Sequence, residues 1–188
     1  MRIGVLAVQG AFAEHIGRIS EMGAEPFEIR QLRDILDSFD GLILPGGEST
    51  VMKKLLTDLG LHDPLKALIE NGLPVFGTCA GMILLAGEIV SGEQPCFGTM
   101  DITVKRNAYG RQLGSFVCRE NFAGRETAMR FIRAPYVTEV RGSAEVLAVH
   151  EGKIVAARQG KQLAAAFHPE LCGDMTVYEY FFDMIRNR

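Results

Sequence analysis

No stretch of this chain is apolar for anything near the ~20 residues that a membrane-spanning helix needs, so no transmembrane helix is expected. The apolar start, MRIGVLAVQGAF, is short and lacks a cleavage site, so it reads as a first core strand rather than an export signal. Basic excess is also missing. Net charge is −3, and the nearest approach to a cluster is the pair Lys105-Arg106, which argues against a nucleic-acid face. Cysteine is scarce: Cys79, Cys96, Cys118 and Cys172 form neither a CxxC pair nor any zinc-ligand spacing, so neither a disulfide scaffold nor a metal site is expected. In a reducing cytoplasm most of them read as small buried hydrophobes. Internal repeats, low-complexity segments and Pro/Ser-rich linkers are lacking too, and 188 residues suit a single domain spanning 1–188.

What is present is an alternation. RIGVLAV reads as a buried strand, followed by a helix over residues 11–22. AEPFEI is a weaker strand, LRDILDSF a short helical stretch, and GLILP a third strand ending at Pro45-Gly46-Gly47. Helical pattern resumes over 49–59, where Val51, Met52, Leu55, Leu56 and Leu59 share one face, and again over 63–71. LPVFGT is a fourth strand, and residues 80–88 make the next helix. Strand–helix alternation up to residue 90 implies parallel βαβ units with helices on both sheet faces. The second half reads differently: TMDITVKR, GSFVCRE, AEVLAVHEG, KIVAARQG and QLAAAFHP are strands joined by short turns, with a hairpin at His150-Glu151-Gly152-Lys153. MTVYEYFFDMIRNR closes the chain as an amphipathic helix whose stripe Tyr178, Phe181, Phe182 and Ile185 reads as core packing. The expected fold is a three-layer α/β sandwich with a mixed, largely parallel central sheet.

Within that frame Gly77-Thr78-Cys79-Ala80-Gly81 has the form G-x-C-x-G at a strand-to-helix corner. In a nucleophile elbow the central side chain projects above the sheet edge, and small flanking residues clear the space for the turn. A following helix would turn its N-terminal amides towards the sulfur, favouring the thiolate, and the Ala80 N–H would be placed to bind an oxyanion. The plainer reading is a buried core cysteine beside two packing glycines.

A thiol nucleophile needs a base, and the chain has four histidines. His15, His62 and His150 each read as satisfied surface or core histidines. His168 differs, because AAFHPEL places it at the end of an apolar strand and Pro169 then breaks the ladder. Residues two apart in an extended chain point the same way, so Glu170 would hold one imidazole nitrogen while the other takes the proton of Cys79. LPGGEST supplies Gly46 and Gly47 directly after a strand, where a Cβ-free backbone can turn an amide into a pocket. The same loop also reads as a turn followed by a helix capped by Ser49 or Thr50. No Lys follows in the phosphate-loop arrangement.

With these residues assembled, the chain resembles the class I, triad-type glutamine amidotransferases of flavodoxin-like fold. It is most similar to the branch that serves pyridoxal 5′-phosphate synthesis. GVLAVQGAFAEH, LILPGGEST, FGTCAGMILL, VKRNAYGRQLGSF, FIRAP and FHPEL carry the likeness from end to end. The resemblance implies that Cys79 attacks the side-chain amide of L-glutamine, with His168 as acid/base and Glu170 orienting it. It implies that Gly46, Gly47, Glu48, Arg106, Ile132 and Arg133 hold the substrate and that the N–H groups of Gly47 and Ala80 bind the oxyanion. It further implies a partner, a (β/α)₈-barrel synthase subunit in a large hetero-oligomer, with Gln9 and Gly10 at the interface, and no cofactor or metal on this chain. Tyr109, where phenylalanine is common, and LCGDMTVYEYF depart from the pattern without touching these positions. Met82 argues against the anthranilate-type branch. Arg111, Gln112 and Cys172 receive no role. Two other classes compete: a cysteine hydrolase or deglycase of related fold, disfavoured by PGGEST with HPE, and a non-catalytic partner domain, disfavoured by the intact Cys79, His168 and Glu170.

Overall fold

The computed structural model describes residues 1–106 and 115–187. Its first half is built as the alternation predicts. Strand β1 (Arg2–Leu6) pairs in parallel with β2 (Glu25–Ile29) on one side and β3 (Gly41–Leu44) on the other. Next to β3 runs β4 (Val75–Thr78), again parallel. All four are almost wholly buried except the edge strand β2, as expected for a parallel sheet covered on both faces. Helices α1 (Phe12–Glu21), α2 (Ser49–Asp58) and α3 (His62–Glu70) make the crossovers.

Two expected helices come out shorter. LRDILDSF yields only a 3₁₀ turn, Leu32–Ile35, because the Asp34 carboxylate accepts from the N–H groups of Arg30 (2.9 Å) and Gln31 (3.0 Å) and pins a single tight turn. Helix α4 covers Ala80–Leu85, not 80–88, and residues 86–89 form strand β5 (Ala86–Ile89). The last carbonyls of α4 are claimed from outside: Phe97 N–H donates to Leu84 O (2.9 Å) and Thr99 N–H to Leu85 O (3.0 Å). The chain then leaves the helix to pair in parallel with β6 (Met100–Lys105).

The second half contains strands that periodicity leaves unread. β7 (Ser115–Phe122) is zipped to β8 (Arg125–Ile132) across eight paired positions, and β9 (Tyr136–Val140) pairs with β6. β10 (Glu145–His150) and β11 (Lys153–Gln159) form the expected hairpin, and β12 (Gln162–Ala165) follows. Both tight turns, Ala123-Gly124 and Glu151-Gly152, have positive φ at two consecutive residues, which matches the right-handed strand twist. The main sheet runs β2-β1-β3-β4-β12-β11-β9-β6-β5, with β10 added on β11, and β7–β8 stands as a separate ribbon. β12 lies parallel to β4, so the strand preceding His168 sits beside the strand preceding Cys79.

Alternation along β4 assigns the layers. Phe76 packs its ring against Tyr178 (6.0 Å between centroids) and Phe181 (5.6 Å), both on α5 (Thr176–Arg186), while Gly77 faces Gly81 and Leu85 of α4. Helices α1 and α5 therefore cover one face, and α2, α3 and α4 gather on the other. Tyr178, Phe181, Phe182 and Ile185 are core residues, as their spacing predicts. Among the described residues no helix is long and apolar enough to cross a membrane.

Candidate active site

Cys79 occupies the corner between β4 and α4 at φ 48°, ψ −100°, a backbone conformation that side chains rarely adopt. Its N–H donates to Ala165 O at the end of β12 (2.8 Å), which anchors the corner to the neighbouring strand. The flanking glycines are sterically required. A Cβ on Gly77 would lie 2.6 Å from the carbonyl of Gly81, and one on Gly81 would lie 2.0 Å from Leu44 O in β3. Both obstacles are backbone, so no rotamer relieves them. The elbow reading of G-x-C-x-G thus holds as geometry. The core-cysteine reading holds only for bulk exposure, since Cys79 is 8% exposed and opens onto a cleft.

His168 reaches the same place from β12, but not by the route expected. The strand ends at Ala165, and Pro169–Leu171 is a 3₁₀ turn with Pro at its start. His168 and Glu170 therefore meet through a turn and not through the two-residue repeat of an extended chain. Proline's fixed φ suits that first turn position. His168 Nδ1 and Glu170 Oε1 are 2.6 Å apart. Backbone ties complete the setting: His168 N–H donates to Arg130 O in β8 (2.7 Å), and Arg18 of α1 donates from Nε to Glu170 O (3.1 Å).

Burial opposes a charged imidazole, yet the bonds and charges of Cys79 and Glu170 outweigh it and raise the pKa of His168 to about 10. Glu170 is pushed the opposite way: burial favours its neutral form, but His15 and His168 together hold its pKa below the usual carboxylate value. Among the described residues no atom meets full hydrogen-bond geometry at His168 Nε2. Cys79 still raises the His168 pKa through a loose side-chain bond as well as through charge, and apo acid/base pairs of this kind tighten when substrate seats.

The cleft above these groups encloses about 370 Å³ and is lined by Gln9, Gly10, Ala11, Gly46, Gly47, Glu48, Cys79, Ile132, Arg133 and His168. Arg133 is a second non-glycine residue at positive φ (43°) on its wall. Gly46 sits between the two chemical groups: a Cβ there would meet His168 Cε1 at 2.5 Å and Cys79 Cβ at 3.4 Å. Gln9 and Gly10 do more than lie at a rim. Gln9 Oε1 accepts from Glu48 N–H (2.8 Å), Ala11 N–H donates to Gly46 O (2.9 Å), and a Cβ on Gly10 would stand 1.9 Å from that carbonyl. The loop after β1 thus clasps the Pro45-Gly46-Gly47-Glu48 loop after β3.

Two expected residues stand apart from the lining. Ala80, the first residue of α4, is buried directly behind Cys79. Among the described residues Arg106 connects to the cleft through Glu48, which it contacts at 3.1 Å while Glu93 takes its other nitrogen at 2.7 Å. Tyr109, Arg111 and Gln112 lie outside the described residues.

Around Glu170 the structure adds a set of side chains that sequence pattern leaves in the core. His15 of α1 is fully buried. Its Nδ1 lies 2.7 Å from the Tyr178 hydroxyl, and its Nε2 lies 3.1 Å from Thr78 Oγ1 and 3.5 Å from Glu170 Oε2. The only local signal was the polar character of His15 on an otherwise apolar helix face. Cys172 donates weakly to His168 O (3.7 Å), and burial raises its pKa, so it packs behind the turn. Elsewhere Cys118, Glu120 and His150 place potential metal-ligand atoms within 4.8 Å of one another. His150 Nδ1 is already paired with Glu120 at 2.7 Å, its ring packs on Phe116 and Phe131, and burial with Glu120 raises the Cys118 thiol to about 11.

The arrangement brings a strained thiol, a proton acceptor with a carboxylate behind it, and a glycine loop into one small polar cleft. Known proteins match this chain over nearly its whole length. Pyridoxal 5′-phosphate synthase subunit PdxT of Methanocorpusculum labreanum is 58% identical across 98% of both chains. The protein of the same name from Carboxydothermus hydrogenoformans is 51% identical, again over 98% of each. A crystal structure of a glutamine amidotransferase superposes with a TM-score of 0.92 at 42% identity, covering 98% of both chains. The SNO glutamine amidotransferase family matches residues 5–187, and this chain belongs to that family.

Proposed function

We propose that this chain, as one domain over residues 1–188, hydrolyses L-glutamine to L-glutamate and ammonia as the glutaminase subunit of a pyridoxal 5′-phosphate synthase. The observation that carries the reading is the meeting of the Cys79 elbow with the His168–Glu170 pair (2.6 Å) in one cleft beside Gly46 and Gly47. The names of the full-length relatives point to the same complex.

Chemistry follows from the placement. Cys79 Sγ attacks the side-chain amide carbon of glutamine and passes its proton to His168, whose high proton affinity favours the transfer. The tetrahedral oxyanion sits against the N–H groups of Gly47 and Ala80. His168 returns the proton to the departing nitrogen, the C–N bond breaks, and ammonia leaves a glutamyl thioester. Water, deprotonated by His168, then attacks the thioester, and the C–S bond breaks to give glutamate and the free thiol. Glu170 stabilises the imidazolium at both stages. Glu48 and Arg106 suit the ammonium and carboxylate of the amino acid, with Ile132 and Arg133 closing the far wall.

Ammonia passes to a (β/α)₈-barrel synthase subunit in a large cytoplasmic hetero-oligomer, which condenses it with a pentose phosphate and a triose phosphate. Gln9 and Gly10 are the contact that couples docking to activity, because a partner pressing on them moves the glycine loop through the Gln9–Glu48 and Ala11–Gly46 bonds. The test is glutamate release from glutamine by the chain alone and with the synthase subunit, with Cys79→Ala as control. Activity should rise with the partner and vanish in the variant. Equal rates with and without the partner would remove docking activation, and no activity in a mixture shown to bind would remove the glutaminase reading.

A further inference from the structure

Glu170 uses one carboxylate oxygen on His168 and buries the other. Its side chain has no solvent exposure, and among the described residues Oε2 finds no regular hydrogen-bond partner. Such an oxygen is costly to leave without a donor. The polar atom facing it is Nε2 of His15, 3.5 Å away, on a side chain that is itself fully buried. Burial lowers the pKa of His15 against the pull of Glu170, with His168 pushing the same way as burial and Glu14 opposing, so the ring is neutral and carries a single N–H.

The direction in which that N–H points is set from the other end. The Tyr178 hydroxyl lies 2.7 Å from His15 Nδ1 and is buried, with its own pKa raised well above the usual value, so it keeps its proton and can donate it. A hydroxyl donating to Nδ1 leaves the ring proton on Nε2, where it is shared between Thr78 Oγ1 at 3.1 Å and Glu170 Oε2. In the opposite tautomer a nitrogen lone pair would face a buried carboxylate oxygen. Phe76 packs edge-on against both rings (6.4 Å to His15, 6.0 Å to Tyr178) and stops either from turning away.

We propose that His15 and Tyr178 are positioning residues of the proposed glutaminase triad: Tyr178 fixes the tautomer of His15, and the His15 Nε2–H steadies Glu170 so that its Oε1 stays on His168. The inference rests on the glutaminase reading for its kinetic consequence but not for its structural content. Of the charged groups nearby, Arg18 reaches Glu170 at its backbone carbonyl, and among the described residues the carboxylate meets the two histidines and the N–H of Glu170 itself.

The test uses the chain with its synthase partner and compares wild type, Tyr178→Phe, His15→Leu and His15→Gln. Loss of the Tyr178 hydroxyl should lower kcat roughly 10-fold with KM unchanged, and His15→Leu roughly 10- to 100-fold, the range seen when an outer-shell partner is removed. The alkaline limb of the pH–rate profile should move to lower pH in both, because a looser Glu170 supports the His168 proton less well. His15→Gln, which can present an amide N–H at a similar reach, should recover part of the loss. Phe181→Leu, a neighbouring core change, controls for softening alone: it should lower Tm without moving that limb. Independently of turnover, ¹⁵N imidazole shifts of the free chain should place the His15 proton on Nε2, and on either nitrogen once Tyr178 is Phe.

Folded Tyr178→Phe and His15→Leu variants with wild-type kcat and pH profile would overturn the proposal, as would a proton found on Nδ1 in wild type. Wild type that releases no glutamate would instead overturn the glutaminase reading, with the shifts still deciding the tautomer.

Discussion

The corner at Cys79 and the turn at His168 face each other across Gly46, yet different forces hold them. Cys79 is fixed by backbone: a positive φ, an amide bonded to the next strand, and two glycines whose missing side chains let β3, β4 and α4 come together. His168 is fixed by side chains: a carboxylate at 2.6 Å and, behind it, a buried histidine and tyrosine drawn from the first and last helices. Steric fixation is all or nothing, because a clash with backbone cannot be shared out. Polar fixation is graded, because each bond contributes modestly and can be removed singly. The nucleophile is therefore placed by the fold itself, and the base is tuned upon it.

The largest effect should come from striking the steric side. Gly81→Ala drives a Cβ to 2.0 Å from Leu44 O, and overpacking of this kind costs about 3 kcal/mol, or roughly 6–12 °C of Tm for a chain of this size. Gly46→Ala meets a movable imidazole carbon at 2.5 Å instead. Its Tm should fall far less than that of Gly81→Ala, while glutamate release collapses because His168 is displaced. Thermal melts and activity measured on both variants check the contrast, and matching Tm losses would break it.

An intermediate effect belongs to the polar side and appears in pH. The pKa of His168 is raised in the folded chain, from 6.5 to about 10, so its contribution to stability is complete below pH 6.5 and is lost as pH rises towards 10. The slope cannot exceed the one-proton limit, about 1.4 kcal/mol per pH unit. Glu170, lowered in the folded chain, contributes above the ordinary carboxylate range and loses that contribution as acid protonates it. Denaturant unfolding between pH 6.5 and 10 should show falling stability in wild type and a flatter curve in Glu170→Gln. Equal slopes would show that Glu170 does not support the His168 proton.

The smallest effect lies away from both. Arg125 and Glu179 pair at 2.7 Å between the β7–β8 ribbon and α5, with both side chains about half exposed. Arg125→Ala should leave activity unchanged and move Tm by no more than about 2 °C. A larger shift would mean that the ribbon, which also supports His168 through Arg130, is held by its rim.

How much of this was legible in the sequence follows the same division. The parallel strands and the corner at Cys79 are written in short range: apolar runs, G-x-C-x-G, P-G-G. His168 and Glu170 were legible as a pair, although their approach depends on a 3₁₀ turn and not on strand alternation. Arg106 was tied to the substrate only through the family resemblance, and its sharing by Glu48 and Glu93 was not legible. Strands β8 and β9 went unread because charged Arg125, Glu126, Arg130 and Glu139 break up their apolar signal, although Thr127, Met129 and Phe131 of β8 alternate into the core. The contact of His15 with Tyr178 joins positions 163 apart, and no local period encodes such a bond. Gln9 was visible only as part of a family segment, since its bond to Glu48 spans 39 positions.

The close approaches around the corner also constrain how the protein can change over generations. At Gly10, Gly77 and Gly81 the nearest obstacle is main chain, which every residue carries, so no compensating substitution elsewhere can trim it away. At Gly47 the nearest obstacle is the tip of Gln9, a side chain that another mutation can shorten, whereas at Gly46 it is the ring of His168, which the proposed chemistry cannot give up. Second-site suppressors thus have a route open at 47 and none at 10, 46, 77 and 81. Drift can reshape the rim of the cleft by paired steps while its floor stays frozen.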